Sequence, residues 1–175
     1  MLKPPTHRGF TLIELLVGLA IVSILIVSAL PSYTAWVQNT KIRNAAESVQ
    51  NGLQLARSEA VLRNTSVQFA FGVDSQWTVS VVAPAQTIQS RPAEQGSQGV
   101  LVSRTPGSSA LTFNSLGRVV ANADGSASFT QVDFDVADLA LPSNLRRPLR
   151  VAITSGGRVR MCDPSITDTT DTRVC

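Results

Sequence analysis

An uninterrupted apolar run from Phe10 to Leu30 dominates the hydrophobic pattern at the start of the chain. The run has 21 residues and a single charged side chain, Glu14. A helix of this length spans roughly 31 Å, which matches the hydrocarbon thickness of a bilayer. A secretory signal peptide has a shorter apolar core followed by a small-residue cleavage site, whereas here a basic leader ending in Gly9 precedes the run. The pattern therefore predicts a membrane-spanning helix.

Beyond Pro31 apolar residues recur every three or four positions, and charged and amide residues fill the positions between them. This spacing places a narrow apolar stripe along one side of a helix. The stripe consists of Ile42, Ala45, Ala46, Val49, Leu53, Ala56 and Ala60. We expect one long helix from about Phe10 to about Arg63, half in lipid and half packed on protein, with a bend or pause at Pro31 and a cap at Asn64.

After residue 64 the hydrophobic period changes to two, which is typical of half-buried strands. Short clusters of Gly, Asp, Asn and Ser separate the segments, as in antiparallel hairpins. The stretch 83–99 is rich in Pro, Gln and Ser and is expected to form a long loop. The predicted strands are Ser66–Phe71, Gln76–Val82, Val100–Arg104, Ala110–Asn114, Arg118–Val120, Ser126–Phe134, Leu149–Thr154 and Arg158–Cys162.

The charge pattern matters locally rather than globally. The formal net charge of +3 comes from 15 basic and 12 acidic residues, and without the leader's Lys3 and Arg8 it is +1, so the total charge does not indicate nucleic-acid binding. The stretch 141–160, however, holds five arginines and no acid, whereas 122–138 holds four aspartates and no base. This asymmetry marks the C-terminal arginines as a candidate binding surface.

The last two predicted strands can pair in two registers. A two-residue turn at 156–157 would put Ile153 and Arg160 on one face. Because a one-residue slip exchanges the two faces, only a three-residue turn at 155–157 separates an apolar face from a charged one. The arginines on the charged face are then Arg150, Arg158 and Arg160. In this register Arg158 and Arg160 stand about 6.6 Å apart, within reach of neighbouring phosphates.

Cys162 and Cys175 are the two cysteines of the chain. An even number of cysteines beyond a membrane anchor favours a disulfide in an oxidising compartment, which would stabilise the fold by roughly 3 kcal/mol. Two free thiols are the alternative. The loop between the cysteines carries Asp163, Asp168 and Asp171, but their spacing does not match an EF-hand, so we expect solvated carboxylates and no metal.

Catalysis is not expected. The only histidine, His7, lies in the leader, so the rest of the chain offers neither a Ser–His nor a Cys–His pair. The glycines at 156–157 are better explained as a turn than as a phosphate-binding loop. We therefore predict a protein that is not an enzyme and needs no cofactor.

The residues Gly9 to Glu14, Gly-Phe-Thr-Leu-Ile-Glu, followed by the apolar run resemble the processing site of type IV pilins and type II secretion pseudopilins. The resemblance implies that a prepilin peptidase cuts after Gly9 and methylates the new terminus at Phe10. It also implies that Glu14 meets the terminal amine of a neighbouring pilin, because opposite charges attract strongly in a low dielectric. The expected location is the inner membrane, with a single span, and then the pilus, with the globular domain periplasmic or extracellular.

Further segments narrow the resemblance to the GspH/FimT branch of minor pilins. They are 53–63 (Leu-Gln-Leu-Ala-Arg-Ser-Glu-Ala-Val-Leu-Arg), 111–118 (Leu-Thr-Phe-Asn-Ser-Leu-Gly-Arg) and a late Gly-Arg-x-Arg-x-Cys. The implied fold class is α+β and type IV pilin-like, a long N-terminal helix packed on antiparallel β-sheet with a disulfide-closed C-terminal loop. The expected divisions are a leader at 1–9, a transmembrane and assembly helix at 10–30, an amphipathic helix at 31–64 and a β-rich domain at 65–175.

Gly157 to Arg160 match the Gly-Arg-x-Arg motif through which FimT-type minor pilins of competent bacteria bind DNA during natural transformation. The likeness implies that Arg158 and Arg160 contact the phosphate backbone of double-stranded DNA. Binding would be independent of base sequence, since no aromatic residue stands near them to stack on bases. Further contacts implied in the same way are Arg146, Arg147, Arg150 and Arg173.

Three alternatives stay open. The protein could be a structural subunit that primes pilus assembly at the tip, or a GspH-type pseudopilin of type II secretion. The arginines could also form a solvated face that keeps an exposed hairpin from edge pairing. None of these requires contact with nucleic acid.

Overall fold

The computed structural model describes residues 10–175, so the leader and the predicted cleavage at Gly9 lie outside the described residues. The described chain falls into two units that divide between Thr34 and Ala35. One helix, α1, spans Leu12–Leu62 and so contributes to both units. Helical structure continues through Pro31, so the predicted pause is absent there.

The N-terminal unit begins with a reciprocal helix cap. The backbone N–H of Glu14 donates to Thr11 Oγ1 at 3.3 Å, and the N–H of Thr11 donates to Glu14 Oε2 at 3.3 Å. This pattern is a capping box, which satisfies two of the free N–H groups at a helix start. Glu14 therefore has a local role within its own helix, which the Thr-x-x-Glu spacing could have indicated.

The polar groups farther along the apolar run are satisfied inside the helix. The hydroxyl of Ser23 donates to the Leu19 carbonyl at 2.8 Å, and that of Ser28 donates to the Ile24 carbonyl at 2.9 Å. The large apolar side chains between residues 12 and 30 are all more than half exposed. This part of α1 is long and apolar enough to cross a membrane, as predicted. Its hydroxyl groups are bonded within the helix, so they need no water in the hydrocarbon region.

The globular unit contains the C-terminal part of α1 and, within residues 35–175, two antiparallel sheets. The first sheet has the order β3-β2-β1-β5-β6 and the second β4-β7-β8-β9. The strands are β1 (Val67–Phe71), β2 (Trp77–Val81), β3 (Gln86–Arg91), β4 (Val100–Thr105), β5 (Ala110–Phe113), β6 (Val119–Val120), β7 (Gln131–Val136), β8 (Leu149–Ile153) and β9 (Val159–Cys162). A short 3-10 helix lies at Ser143–Leu145.

The apolar stripe of α1 packs on the inner face of the sheets, and all seven predicted stripe residues are fully buried. The helix comes close to β1 and β2 at Gly52, where a Cβ would stand 2.8 Å from the ring of Phe69. In the same contact, Trp77 Nε1 donates to the buried hydroxyl of Ser48 at 2.8 Å. The inner residues of both sheets join this core, as expected for an α+β domain.

Helix α1 ends at Leu62 and is capped, as predicted, by Asn64, which adopts a positive φ of 50°. Its N–H donates to the Val61 carbonyl at 3.3 Å, and the N–H of Thr65 donates to the Ala60 carbonyl at 3.1 Å. These two bonds form a Schellman motif, in which asparagine tolerates the left-handed conformation better than most residues.

The predicted loop at 83–99 is wrong in part, because β3 lies within it. This strand pairs with β2 at the edge of the first sheet and has only Ile88 and Arg91 half-buried. An edge strand with two polar faces has no alternation of apolar residues, so the hydrophobic pattern could not reveal it.

The predicted strand Ser126–Phe134 is also shifted, since β7 begins only at Gln131. Residues 126–130 connect the first sheet to the second, and their side chains make hydrogen bonds in place of a strand ladder. The hydroxyl of Ser128 donates to the Val120 carbonyl at 2.7 Å and accepts from the N–H of Thr112 at 3.2 Å. The apolar Phe129 inside this crossover is fully buried, which mimics the pattern of a strand.

Candidate nucleic-acid interface

The hairpin of β8 and β9 has the predicted register. Ala152 pairs with Arg160 and Ile153 with Val159, so the turn contains three residues, 155–157. Two bonds close the turn, from the N–H of Thr154 to the Arg158 carbonyl at 3.0 Å and from the N–H of Gly157 to the Thr154 carbonyl at 2.8 Å. Val151 and Ile153 are buried, whereas Arg158 and Arg160 are exposed, which confirms the predicted separation of faces.

This turn packs directly on the turn that joins β5 to β6. A Cβ at Gly157, where φ is +80°, would stand only 2.0 Å from the carbonyl oxygen of Gly117. The N–H of Val119 donates to the Ser155 carbonyl at 3.1 Å and ties the two turns together. Glycine is therefore required at 157 both by its backbone conformation and by the close approach of another backbone.

Arg57 of α1 lies against both turns. Its Nε donates to the Gly117 carbonyl at 3.2 Å and stands 3.1 Å from the Cβ position of Gly157. Sequence reasoning did not single out Arg57, or Arg118, which follows Gly117. The available signal was the repeated Gly-Arg dipeptide, at 117–118 and at 157–158.

The side chain of Arg158 has no bonding partner among the described residues, a state that it shares with Arg147. It is exposed, and the bonds of Arg158 are those of its backbone, from its N–H to Thr154 Oγ1 at 3.2 Å and from the N–H of Thr154 to its carbonyl at 3.0 Å. Among residues 10–175 no hydrogen-bond acceptor or carboxylate engages its guanidinium. A cation in this state keeps its full charge and its donors available to a ligand.

Arg160 is held by the C-terminal loop. The disulfide joins Cys162 to Cys175, which confirms the predicted pairing. Arg160 Nη2 donates to the carbonyls of Thr172 at 2.9 Å and Val174 at 2.7 Å. These acceptors are neutral, so the arginine keeps its charge while the loop fixes its direction.

Arg146 and Arg150 are paired with the aspartates of the second sheet. Arg150 makes a two-pronged ion pair with Asp133, at 2.6 and 3.2 Å, and both side chains are 29% exposed. Arg146 bonds Asp135 at 3.2 Å and also binds Asp138. Two of the five arginines of the basic stretch are therefore paired with three of the four aspartates of the acidic stretch, and the pairing of β7 with β8 accounts for the Arg150–Asp133 contact.

Arg173 and Arg147 differ from the motif arginines. Arg173 pairs with Asp171, whose pKa is lowered to about 2 mainly by the side-chain hydrogen bond from Arg173. The pKa of Arg173 is raised by the same bond. Arg147 is exposed and precedes β8, at the end of the hairpin away from the turn, and its N–H donates to Asn39 Oδ1 at 2.9 Å.

The aspartates of the C-terminal loop serve its turns. Asp163, Asp168 and Asp171 each accept a bond from the backbone N–H two residues later. Such Asx turns use the carboxylates locally. Over residues 10–175, no three His, Cys, Asp or Glu side chains form a cluster that could hold a metal ion.

Comparison with known proteins identifies the family. Residues 45–157 match the family described as Type II transport protein GspH, and residues 5–30 match the prokaryotic N-terminal methylation motif. Competence protein ComGD of Bacillus subtilis (strain 168) is 31% identical over 70 residues, which cover 40% of this chain and 49% of ComGD. The matched segment thus spans about half the length of that relative.

Two crystal structures of the type IV minor pilin FimU from Pseudomonas aeruginosa (strain PAO1) share the fold. The P65 form has a TM-score of 0.51 and 19% identity and covers 73% of this chain and 97% of FimU. The P21 form has a TM-score of 0.54 and 18% identity and covers 77% and 97%.

The methylation motif and the apolar helix together indicate processing by a prepilin peptidase and assembly with other pilins. The helix anchors the protein in the inner membrane before it enters the pilus, and the globular domain lies outside the cytoplasm. Pilins and pseudopilins are structural proteins. The chain belongs to the GspH family, carries the N-terminal methylation motif and has the fold of a type IV minor pilin.

Proposed function

We propose that this minor pilin binds extracellular double-stranded DNA through its Gly-Arg-x-Arg segment and serves DNA uptake in natural transformation. The state of Arg158 carries the proposal. Its guanidinium is exposed, has no partner among residues 10–175, and stands beside a turn fixed by backbone contacts. The name of the relative ComGD, a competence protein, adds support.

The contact residues are Arg158 and Arg160. Arg160 bonds only neutral carbonyls, so both side chains offer uncompensated charge to phosphate oxygens. The ion pairs of Arg146, Arg150 and Arg173 favour a structural role for those three. Arg147 precedes β8, at the end of the hairpin away from the turn that carries Arg158. Binding is independent of base sequence and releases counterions, with a log–log salt slope of about −1.8 for two phosphates.

Fluorescence anisotropy with two unrelated DNA duplexes tests this function, using the full chain in a non-ionic detergent that adds no charge. Arg158→Gln should weaken binding to both duplexes by roughly tenfold and reduce the slope by about 0.9. The matched control is Arg91→Gln, which removes the same charge from the edge strand β3, where Arg91 bonds only the Gln95 carbonyl. Absent binding by the wild type, or equal binding by Arg158→Gln, would show the proposal to be wrong.

A purely structural role is the second candidate. The family description as a type II transport protein and the minor-pilin title of FimU favour it. In that case the subunit primes pilus assembly or acts with sister pseudopilins in secretion. Cells carrying Arg158→Gln would then retain pilus formation and secretion as well as DNA uptake.

Processing and assembly complete the proposal. The peptidase cuts after Gly9, Phe10 becomes the methylated terminus, and Glu14 meets the terminal amine of a neighbouring subunit. In the described chain one carboxylate oxygen of Glu14, Oε2, accepts both bonds from Thr11. The other oxygen, Oε1, is the one directed to the neighbour in this proposal. The protein contributes binding and structure, with no catalytic step of its own.

A further inference from the structure

The two Gly-Arg dipeptides of the globular unit lie side by side. Gly117 and Gly157 both have positive φ, at +70° and +80°. The backbone of one turn touches that of the other, with the Gly117 carbonyl at the Cβ position of Gly157. Because each arginine directly follows its glycine, this contact brings Arg118 and Arg158 to neighbouring points on the surface.

Arg118 has the same properties as Arg158. Its side chain is exposed, and the bonds of its backbone go to Asn114, through its N–H to Oδ1 at 3.0 Å and through its carbonyl to the N–H at 2.9 Å. Within the described range 10–175, its guanidinium has no hydrogen-bond acceptor or ion-pair partner. The Asn114 bonds hold the backbone, so the direction of the side chain from the turn is set while its charge stays free.

The surroundings add positive charge and no acid. Arg57 lies against both turns through its bond to the Gly117 carbonyl. The cleft beside Arg158 has no carboxylate in its lining, which is formed by Gln54, Arg57, Ser58, Val61, Leu62, Gly157, Arg158 and Val159. Glu59, two residues after Arg57 on α1, is paired with Arg63 at 2.6 Å. Three arginines from three elements therefore act together on an approaching anion.

We propose that Arg118 is a third phosphate-contacting residue, so that the DNA-binding surface extends across both turns instead of following β9 alone. Arg57 is a positioning residue, because its guanidinium is engaged with the Gly117 carbonyl and holds the two turns in place. The inference rests on the DNA-binding function proposed above. A surface with contacts on two turns neutralises about three phosphates and has a salt slope of about −2.7.

The test measures salt dependence in the full chain in non-ionic detergent, with a duplex of random sequence. Arg118→Gln should weaken binding roughly tenfold and reduce the slope by about 0.9, while Arg118→Lys should keep most of the slope. Arg91→Gln is again the control for loss of one charge. Unchanged thermal unfolding of Arg118→Gln is expected, since its side chain makes no bond within residues 10–175.

Two results distinguish failure of this inference from failure of the proposed DNA-binding function. If Arg158→Gln weakens binding and Arg118→Gln does not, the surface is confined to β9 and the inference is wrong, although DNA binding stands. If wild-type protein does not bind the duplex, both fail. Loss of affinity in Arg118→Gln with no change in slope would also overturn it, because a phosphate contact must change counterion release.

Discussion

Gly157 controls how closely two turns approach each other. Its φ of +80° lies in the left-handed region, and a Cβ would meet the Gly117 carbonyl oxygen at 2.0 Å. We predict that Gly157→Ala lowers the free energy of unfolding by roughly 2–5 kcal/mol, since backbone strain and displacement of the other turn add. Urea unfolding monitored by tryptophan fluorescence measures the change.

Gly156→Ala is the matched control. A Cβ there would meet only Thr154 Oγ1, at 3.9 Å, which is ordinary contact. We expect a change within about 0.5 kcal/mol. Equal destabilisation by the two variants would mean that the contact between the turns does not constrain Gly157.

Asp171 provides a pH-dependent contact at the C-terminal loop. The bond from Arg173 lowers its pKa from 3.8 to about 2. Because the pKa of Asp171 is lower in the folded state than in the unfolded chain, its ion pair stabilises the loop fully at a pH above 3.8. This contribution is lost as the pH falls from 3.8 through about 2. NMR titration of the Asp171 carboxyl carbon should show a midpoint near 2. Arg173→Gln should raise that midpoint towards 3.8, and an unchanged midpoint would contradict the ion pair.

At the scale of elements, α1 depends on Gly52 to reach the first sheet. A Cβ at this position would stand 2.8 Å from the ring of Phe69, which is fully buried and stacked on Trp77. We predict that Gly52→Val destabilises the domain by roughly 2–4 kcal/mol through overpacking. Chemical denaturation measures this, with Asn51→Val on the exposed side as the control, expected within about 0.5 kcal/mol.

The elements that the hydrophobic pattern predicted are those with one buried face. Burial of apolar side chains determines both the stripe of α1 and the register of the β8–β9 hairpin. Both could therefore be predicted from the sequence. The edge strand β3 buries little, and the crossover before β7 buries Phe129 without joining a ladder. Hydrophobic periodicity indicates which residues are buried and not which strands pair. The sequence pattern therefore missed β3 and placed the start of β7 too early.

For the whole molecule, charge depends on which elements become neighbours. The sequence places five arginines after four aspartates, and the fold pairs two of those arginines, Arg146 and Arg150, with three of the aspartates. The two Gly-Arg dipeptides are 40 positions apart in the chain, and only the packing of one turn on the other brings them together. The candidate motif and the second Gly-Arg dipeptide could therefore be found in the sequence, but the contact between their two turns and the pairing of Arg146 and Arg150 could not.

Assembly of the whole pilus provides the last prediction. Glu14→Gln keeps an acceptor for the capping box but removes the charge, whereas Thr11→Val removes the cap hydroxyl and keeps the charge. We expect Glu14→Gln to lower recovery of the subunit in sheared pili by about tenfold, because the proposed ion pair with a neighbouring amine cannot then form in the low dielectric. Thr11→Val should be recovered nearly as wild type. The reverse order would assign Glu14 to helix capping alone.

The hydroxyl bonds of Ser23 and Ser28 within α1 affect the cost of leaving the bilayer. Because both hydroxyls are satisfied inside the helix, they need no new partner when the surroundings change from acyl chains to other helices. Extraction from the membrane then replaces one set of dispersion contacts with another at nearly constant hydrogen bonding. The apolar surface of this stretch offers no polar contact that would fix one axial alignment with a neighbour, so in the assembly proposed above that alignment depends on the charge of Glu14.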